Sequence, residues 1–265
     1  GRVGGRVLSH KIDGESGPLV CEVGAEWIGA SHERIQALCR EFDLEMSDHR
    51  FQASLLQNGR LVPPDGWSYS KEAQRAFETF RQEYATYSDK QKRSLDRVDW
   101  WTWLERIGFT QADLRLRDLF DSTDFGESIR HVSALMAAAE YFESSPANEM
   151  DFKIVGGNSR LIDAMTRASG ATVRTGLQVS GIRQRKGRVT VEAGSESFDG
   201  DACICTVPAR ALSSIRFDPP LPLQQLEGAL SLQYARIIKS SIHFTSRFWG
   251  AEDFSVVSDE TTHYY

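Results

Sequence analysis

Two arginines flank a glycine pair near the start of the sequence, in Arg2-Val3-Gly4-Gly5-Arg6. Glycine lets a backbone approach a ligand closely and leaves its N–H groups unshielded. The arginine guanidinium is a planar fork of donors that matches phosphate oxygens. These residue types in this order predict a clamp for a pyrophosphate group. A solvated glycine-rich turn is the alternative interpretation.

A second loop with small residues, Gly24-Ala25-Glu26-Trp27-Ile28-Gly29, follows a short strand predicted at residues 19–23. Small side chains at the first two positions would let a flat ring system lie against the backbone. The loop is then a candidate for cofactor binding. The alternative is an ordinary turn between a strand and a helix, with its tryptophan buried in the core.

Lys239 lies in an apolar run, Arg236-Ile237-Ile238-Lys239-Ser240-Ser241-Ile242, which is part of a long strand predicted from Tyr234 to Phe244. Alternation along a strand allows this lysine to lie on a solvated face. If it is buried instead, desolvation lowers its pKa and suits it to proton or oxygen chemistry.

The bulk composition is that of a globular protein of one large or two ordinary domains: 265 residues, 40% hydrophobic, with a net charge of -6. The mild negative charge argues against a dedicated nucleic-acid binder. The four cysteines (Cys21, Cys39, Cys203 and Cys205) lack zinc-site spacing, so no metal is expected. No apolar run approaches 18 residues, and no membrane span is predicted.

The order of predicted elements places a helical block, residues 68–143, between strand-bearing segments. Three tryptophans fall within Trp100-Trp101-Thr102-Trp103; they indicate helix packing, or alternatively the wall of a substrate tunnel. Short extended segments follow at 171–175, 178–185, 188–193 and 201–206, and Pro208 begins a helix. This order indicates an α/β unit interrupted by an inserted helical block.

Together these stretches resemble the flavin-containing monoamine oxidase family, which includes polyamine oxidases and L-amino acid oxidases. Residues 2–6 match its R-x-G-G-R loop, and residues 24–29 resemble the G-[GA]-x-[WY]-[VI] stretch that runs beside its flavin ring. The later matches, in family order, are Val155-Gly156-Gly157-Asn158, Val179, Thr206-Val207-Pro208, Phe217-Asp218-Pro219-Pro220-Leu221-Pro222, and Ile238-Lys239 followed by Phe248-Trp249.

The resemblance implies an α/β fold: a discontinuous, incomplete Rossmann-like FAD-binding domain with an inserted α+β substrate domain. The expected division is 1–48 for the first part of the FAD-binding domain and 49–152 for a mostly helical substrate domain. Residues 153–228 would be the second part of the FAD-binding domain, and 229–265 the start of the substrate-domain sheet.

The resemblance also assigns roles to individual residues. Lys239 matches the family lysine that reaches flavin N5 through a water and is the candidate catalytic residue. Trp27 and Arg160 are the candidate substrate-binding residues; Trp27 stands where venom-type amino acid oxidases place an arginine. The expected FAD contacts are Arg2, Gly4, Gly5, Arg6, Gly24, Ala25, Glu26, Trp27, Val179 and Pro208.

The implied activity is oxidation of a small-molecule amine to an imine, by hydride transfer to FAD, with O2 reduced to H2O2. An L-amino acid oxidase or a related flavin desaturase is one alternative, and a non-catalytic scaffold of the same fold is another. The family's G-x-G-x-x-G loop and its C-terminal FAD segment are not in the sequence. We therefore expect an internal fragment that by itself binds FAD poorly and is inactive. A homodimer in the cytoplasm is the expected setting.

Overall fold

The structure, a computed structural model, describes residues 1–14, 17–50, 52–64, 66–144, 150–246, 249–250 and 255–260. The chain forms two compact units, and each is built from two separate stretches. The smaller unit comprises Gly1–Gly5 and Met165–Tyr234, and the larger unit comprises Arg6–Ala164 and Ala235–Tyr265. The four-part functional division expected from the sequence stays a prediction.

The larger unit begins with an antiparallel hairpin of β1 (Ser9–Gly14) and β2 (Gly17–Glu22). Strand β2 confirms the strand predicted at residues 19–23. The register places Ser9 opposite Glu22 at the open end of the hairpin. The loop of residues 23–28 therefore starts at a fixed point, the end of a paired strand.

A small core supports this loop from one side. Helix α1 (Glu33–Glu41) follows the loop, and β3 (Met46–Asp48) pairs antiparallel with β6 (Phe152–Ile154). Ile28, Cys39 and Ile154 are buried together where these elements meet. The β3–β6 pairing joins stretches about one hundred residues apart, so the loop rests on chain from both sides of the helical block.

Five helices form the block predicted at residues 68–143. They are α2 (Lys71–Tyr84), α3 (Asp89–Leu95), α4 (Trp100–Arg106), α5 (Gln111–Phe125) and α6 (Ala134–Glu143). Each begins after a Ser, Thr or Asp whose side chain accepts a hydrogen bond from a backbone N–H of the first turn. Such a cap contributes roughly 1 kcal/mol to helix stability. The local sequence alone thus fixes where each helix begins.

An aromatic core holds the helical block together. Trp100 and Trp101 are buried in it with Phe80 and Leu104, and Trp103 packs against it. Full burial of a large apolar side chain is worth roughly 1.5–3 kcal/mol. The tryptophans therefore have the packing role that was one of the two interpretations of their spacing.

A three-stranded sheet in the larger unit has the order β11-β4-β5. Strands β4 (Ala53–Gln57) and β5 (Arg60–Val62) form a hairpin, and β11 (Ser255–Ser258) pairs with β4 in parallel. The turn residues Asn58 and Gly59 both have positive φ, as an Asn-Gly hairpin turn requires.

The smaller unit is built on a four-stranded sheet of order β10-β7-β8-β9. Its strands are β7 (Val179–Arg185), β8 (Arg188–Ala193), β9 (Glu196–Gly200) and β10 (Arg216–Asp218). Its helices are α8 (Ala209–Leu212) and α9 (Leu223–Ser231), while α7 (Ser159–Ala168) starts in the larger unit. Helix α8 starts directly after Pro208, as predicted.

The long strand predicted at residues 234–244 is wrong, because these residues form no strand, and the extended segments predicted at 171–175 and 201–206 form none either. These segments contain apolar side chains that the structure leaves in solvent: Ile204 is 90% exposed and Ile238 is 92% exposed. A strand also needs a neighbour that supplies backbone hydrogen bonds, and none of the described strands pairs with these segments. Phe248, which follows the last of them, lies outside the described residues. A helix long and apolar enough to cross a membrane is absent from the described residues.

Candidate functional site

The loop of residues 23–28 is anchored to the chain before β1 by backbone hydrogen bonds. The Val23 N–H donates to the Leu8 carbonyl and the Ala25 N–H donates to the Arg6 carbonyl, each at 2.9 Å. A Cβ at Gly24 would lie only 2.0 Å from the Arg6 carbonyl oxygen. The close approach of the two backbones therefore explains the glycine at position 24, because no side chain fits between them.

A buried carboxylate closes the open end of the hairpin. Glu22 is 7% exposed, and its two oxygens accept from the Ser9 hydroxyl at 2.9 and 2.8 Å. The backbone N–H of Asn158 donates to the same carboxylate at 2.7 Å. Ser9 and Ser159 also exchange hydrogen bonds, each backbone N–H donating to the other's side-chain oxygen at 2.8 and 2.9 Å. The start of α7 is therefore fixed to the hairpin.

Asn158 holds the loop itself. Its side-chain amide donates to the carbonyls of Ala25 and Glu26 at 3.2 and 2.7 Å, and its Oδ1 accepts from the Ile154 N–H at 3.1 Å. Gly157 makes this possible, because a Cβ there would lie 2.6 Å from the Cβ of Ser9. The glycine-glycine-asparagine turn after β6 thus determines the path of residues 24–27.

The Glu26 carboxylate lies between two lysines. Its Oε1 accepts from Lys153 Nζ at 2.5 Å, and its Oε2 pairs with Lys239 Nζ. Lys153 also lies over the Trp27 ring, 4.1 Å from the centroid, and that ring packs against His49 with centroids 5.4 Å apart. One cation–π contact of this kind is worth about 0.5–1 kcal/mol. Trp27 therefore contacts both Lys153 and His49, and it is half-buried rather than in the core.

Lys239 is tied to this loop although its segment forms no strand. The Lys239 side chain is 37% exposed, which lies between the two predictions made for it, a solvated strand face and a buried position. Partial burial lowers the pKa of Lys239, while Cys21 and Glu22 act in the opposite direction. Two further contacts hold the segment: Cys21 Sγ lies 2.6 Å from Ser241 Oγ, and Arg236 pairs with Glu127 at 2.8 Å.

The other predicted site residues are placed as follows. Arg2 donates to the carbonyls of Val3 and Gly5 at 3.0 and 2.6 Å, within a turn whose glycines, Gly4 and Gly5, have positive φ. These residues belong to the smaller unit, whereas Arg6, which is exposed, belongs to the larger.

In the smaller unit Val179 opens strand β7 and Pro208 directly precedes α8. In the larger unit, exposed Arg160 donates from Nη1 to the carbonyl of Val155 at 2.5 Å. The structure thus brings Gly24, Ala25, Glu26, Trp27 and Lys239 together. Arg160 folds back on its own turn, and contacts of the other predicted residues with a cofactor stay predictions.

Sequence reasoning missed the residues that support the loop: Ser9, Glu22, Lys153 and Ser159. One signal was available, because Glu22 is a carboxylate at the end of an apolar strand and buried carboxylates need donors. Glu22 takes one donor from Ser9, across the hairpin, and another from Asn158, 136 residues away, and the latter pairing could not be deduced locally.

The loop presents an edge on which a flat group fits. Val23 and Ala25 are exposed on either side of Gly24, and the backbone beneath them is held by Asn158 and not by bulky side chains. Lys239 supplies one cation to this loop, paired with Glu26. These features fit a planar cofactor with polar ring atoms. A group of three or more potential metal-binding side chains is absent from the part of the chain that the structure describes.

Comparisons with known proteins agree on one class. A family model described as "Flavin containing amine oxidoreductase" matches residues 1–264. "Lysine-specific histone demethylase 1 homolog 2" of Arabidopsis thaliana is 28% identical over 261 residues, which cover 95% of this chain and 34% of that protein. "Putative flavin-containing monoamine oxidase AofH" of Mycobacterium tuberculosis is 23% identical over 293 residues, which cover 98% of this chain and 62% of that protein.

Solved structures share the fold. Cyclohexylamine oxidase from Brevibacterium oxydans superposes with a TM-score of 0.73 at 20% identity, covering 87% of this chain and 56% of that chain. A putrescine oxidase bound to putrescine superposes with a TM-score of 0.69 at 21% identity, covering 86% of this chain and 56% of that chain. The predicted α/β fold is confirmed. The chain spans from about a third to about three fifths of the length of these proteins.

Proposed function

Because the chain belongs to the flavin-containing amine oxidoreductase family, whose cofactor is FAD, we propose that it serves the oxidation of a small-molecule amine with O2 as electron acceptor. The chemistry that FAD supplies when bound is acceptance of a hydride from the carbon next to the amine nitrogen and delivery of the electrons to O2, which yields an imine and H2O2. The protein's own residues bind, orient and move protons.

The observation that carries this proposal is the position of Lys239 against the loop of residues 24–27. Its ion pair with Glu26 holds Nζ against this loop, at the residue that follows the exposed Ala25. A lysine whose pKa is lowered by burial releases its proton more readily than a solvated one. We assign Lys239 Nζ to proton supply in the oxygen half-reaction, and Glu26 to its orientation.

Positioning of the cofactor falls to the loop backbone and its supports. Asn158 fixes two consecutive carbonyls of the loop, at Ala25 and Glu26, so the exposed edge keeps one shape. Held geometry of this kind lowers the entropic cost of bringing reactants together. Trp27, clamped by Lys153 and His49, is then a rigid aromatic wall for the substrate. The remaining proposed FAD contacts are Arg2, Gly4, Gly5, Val179 and Pro208 of the smaller unit and Arg6 of the larger unit.

The geometry favours an amine over an amino acid. Recognition of a substrate carboxylate calls for an arginine with a free donor fork. Arg160, the candidate for that role, uses Nη1 on the Val155 carbonyl. The position before Ile28, where an arginine would serve an amino acid, is held by Trp27.

The direct test is peroxide release with benzylamine, putrescine and L-phenylalanine as substrates, measured once the absorbance spectrum of the protein shows bound FAD. A preparation that lacks this spectrum would instead bear out the expectation of poor FAD binding. We expect release with one or both amines and none with the amino acid. Release with L-phenylalanine alone would favour the amino acid oxidase alternative. If FAD binds with its normal yellow spectrum and no substrate reduces it, the non-catalytic scaffold becomes the better description.

A further inference from the structure

The carboxylate of Glu26 is shared by two lysines. Lys153 Nζ contacts its Oε1, and Lys239 Nζ contacts its Oε2. The side chains of Glu26 and Lys153 are only 18% and 22% exposed, so water screens these charges only in part. Two positive charges therefore share one negative charge at the loop of residues 24–27.

Lys153 is the more firmly placed of the two lysines. It is the middle residue of β6, where it pairs with Ser47 of β3, and the Ser47 hydroxyl donates to the Lys153 carbonyl at 3.3 Å. Its Nζ lies 4.1 Å from the centroid of the Trp27 ring, a cation–π contact that favours one position of the ammonium group. Because its backbone and its side chain are both held, Lys153 determines where the Glu26 carboxylate lies.

Lys239 approaches the same carboxylate from a less regular part of the chain. Residues 234–244 form no strand, so they lack the backbone hydrogen bonds that a sheet would supply. Lys239 contacts the oxygen of Glu26 that Lys153 leaves open. The position of Lys239 Nζ therefore depends on Lys153 by way of Glu26.

The second ammonium group also affects how tightly Lys239 holds its proton. Burial lowers the pKa of Lys239, and Cys21 and Glu22 of β2 act in the opposite direction. A nearby positive charge disfavours the protonated form of a lysine, whereas a carboxylate favours it. Lys153 brings such a charge to the carboxylate that Lys239 uses, and it takes part of the stabilisation that Glu26 would otherwise give to Lys239 alone.

We propose that Lys153 is a positioning residue for Lys239: through the shared Glu26 carboxylate it places Lys239 Nζ and makes this group release its proton more readily. This inference rests on the proposed function, in which Lys239 supplies a proton to the oxygen half-reaction. The three side chains belong to the larger unit, so the coupling between them can be measured in this chain without flavin.

The test is competitive acetylation of the protein with trace acetic anhydride at a series of pH values, read for each lysine by peptide mass spectrometry. Only the neutral amine reacts, so the pH midpoint of labelling reports how tightly each lysine holds its proton. We expect the Lys239 midpoint to move to higher pH in Lys153→Met, so that labelling at pH 9 is at least about threefold slower than in the wild type. Lys71, an exposed lysine of α2, should keep its midpoint in both proteins.

Two further variants separate charge from packing. Lys153→Arg keeps a positive charge over Trp27 and should retain the wild-type midpoint of Lys239. Glu26→Gln removes the carboxylate at which the two lysines meet, so adding Lys153→Met to it should leave the midpoint nearly unmoved. The same Lys239 midpoint in Lys153→Met and wild type would overturn the proposal. An equal shift in Lys153→Arg would overturn it as well, because the charge of Lys153 would then not be the cause.

The proposed function is tested separately. In preparations whose absorbance spectrum shows bound FAD, the pH dependence of flavin reoxidation should move in Lys153→Met in the same direction as the labelling midpoint of Lys239. If the labelling midpoint moves and the reoxidation profile does not, the coupling between the two lysines stands and the role assigned to Lys239 in the oxygen half-reaction is wrong.

Discussion

The backbone N–H of Asn158 donates to the carboxylate of Glu22 at 2.7 Å, which joins the turn after β6 to the end of β2. The two residues are 136 positions apart. Because both are at least nine-tenths buried, the hydrogen bond is shielded from water. The loop that carries Glu26 and Trp27 therefore takes its shape from this long-range contact.

Removal of the Asn158 side chain should destabilise the fold. Asn158→Ala leaves the Ile154 N–H and the Ala25 and Glu26 carbonyls without their partner. We expect the free energy of unfolding to fall by about 3 kcal/mol, measured by urea denaturation. Gln74→Ala, which removes one exposed hydrogen bond to Tyr69, is the control and should change it by less than about 0.5 kcal/mol.

Gly24→Ala should disrupt the loop, because its Cβ would lie 2.0 Å from the Arg6 carbonyl oxygen. The new Cβ is fixed to the loop backbone and the Arg6 carbonyl is itself backbone, so the clash can be removed only if the loop or the chain before the hairpin shifts. We expect a loss of at least about 2 kcal/mol in unfolding free energy and reduced FAD binding, followed by flavin fluorescence. Gly228→Ala is the matched control: that helical glycine has open space around its Cβ position, and the change should be neutral or stabilising.

Lys239→Met should slow flavin reoxidation while substrate binding changes little. The variant removes the proton source that we assign to the oxygen half-reaction but keeps a side chain of similar length. Stopped-flow mixing of the reduced enzyme with O2 should give a rate at least about tenfold lower. Lys71→Met, at an exposed lysine of α2 outside the loop and its supports, is the control and should reoxidise at the wild-type rate. Identical rates in Lys239→Met and wild type would refute the role.

Asp124 should contribute stability that is lost as pH rises from about 4 to 6. Burial, reinforced by Asp121 and Glu140 and opposed by Arg117, raises the pKa of Asp124 to about 6. The native state then holds a proton that the unfolded state has released, so unfolding becomes easier as pH increases across this window. Asp124→Asn should flatten the dependence, measured as urea unfolding free energy at several pH values. Parallel curves for variant and wild type would contradict the assignment.

Tyr141→Phe should cost about 1–3 kcal/mol, since it removes one of the three donors to the buried Asp121 carboxylate and nothing else. Tyr87→Phe is the matched control. Tyr87 packs against the same aromatic core, and no hydrogen bond from its hydroxyl occurs within the described part of the chain. Thermal unfolding of the two variants should therefore separate the hydroxyl contribution from ring packing.

Local pattern predicted much of the fold. The helical character of residues 68–143, the strand at residues 19–23 and the helix that begins after Pro208 were all predicted, because their signals lie in the local sequence. The strand expected at residues 234–244 failed for a non-local reason, because strand formation depends on a paired neighbour that an apolar run does not specify.

The candidate site was predicted only in part. The small residues at positions 24 and 25 identified the loop. Another group can approach the loop backbone closely only where side chains are small, and this holds for a ligand and for another stretch of backbone alike. Ser9 and Lys153, which support this loop, have no local sequence signature. Their role depends on hydrogen bonds and ion pairs with residues that are distant in sequence and close in the fold. Arg160 shows the converse: its residue type suited carboxylate recognition, but its backbone contact with Val155 decides its position.

Strand β11 has a consequence for the order in which the chain acquires its structure. Its parallel partner, β4, is the middle strand of its sheet and was synthesised about two hundred residues earlier. A ribosome adds about 5–20 residues per second, so one edge of β4 waits roughly 10–40 s for its neighbour. During that time its open backbone groups can pair with another chain. Yield in cells should therefore respond to the speed of translation and to chaperones that bind nascent strands.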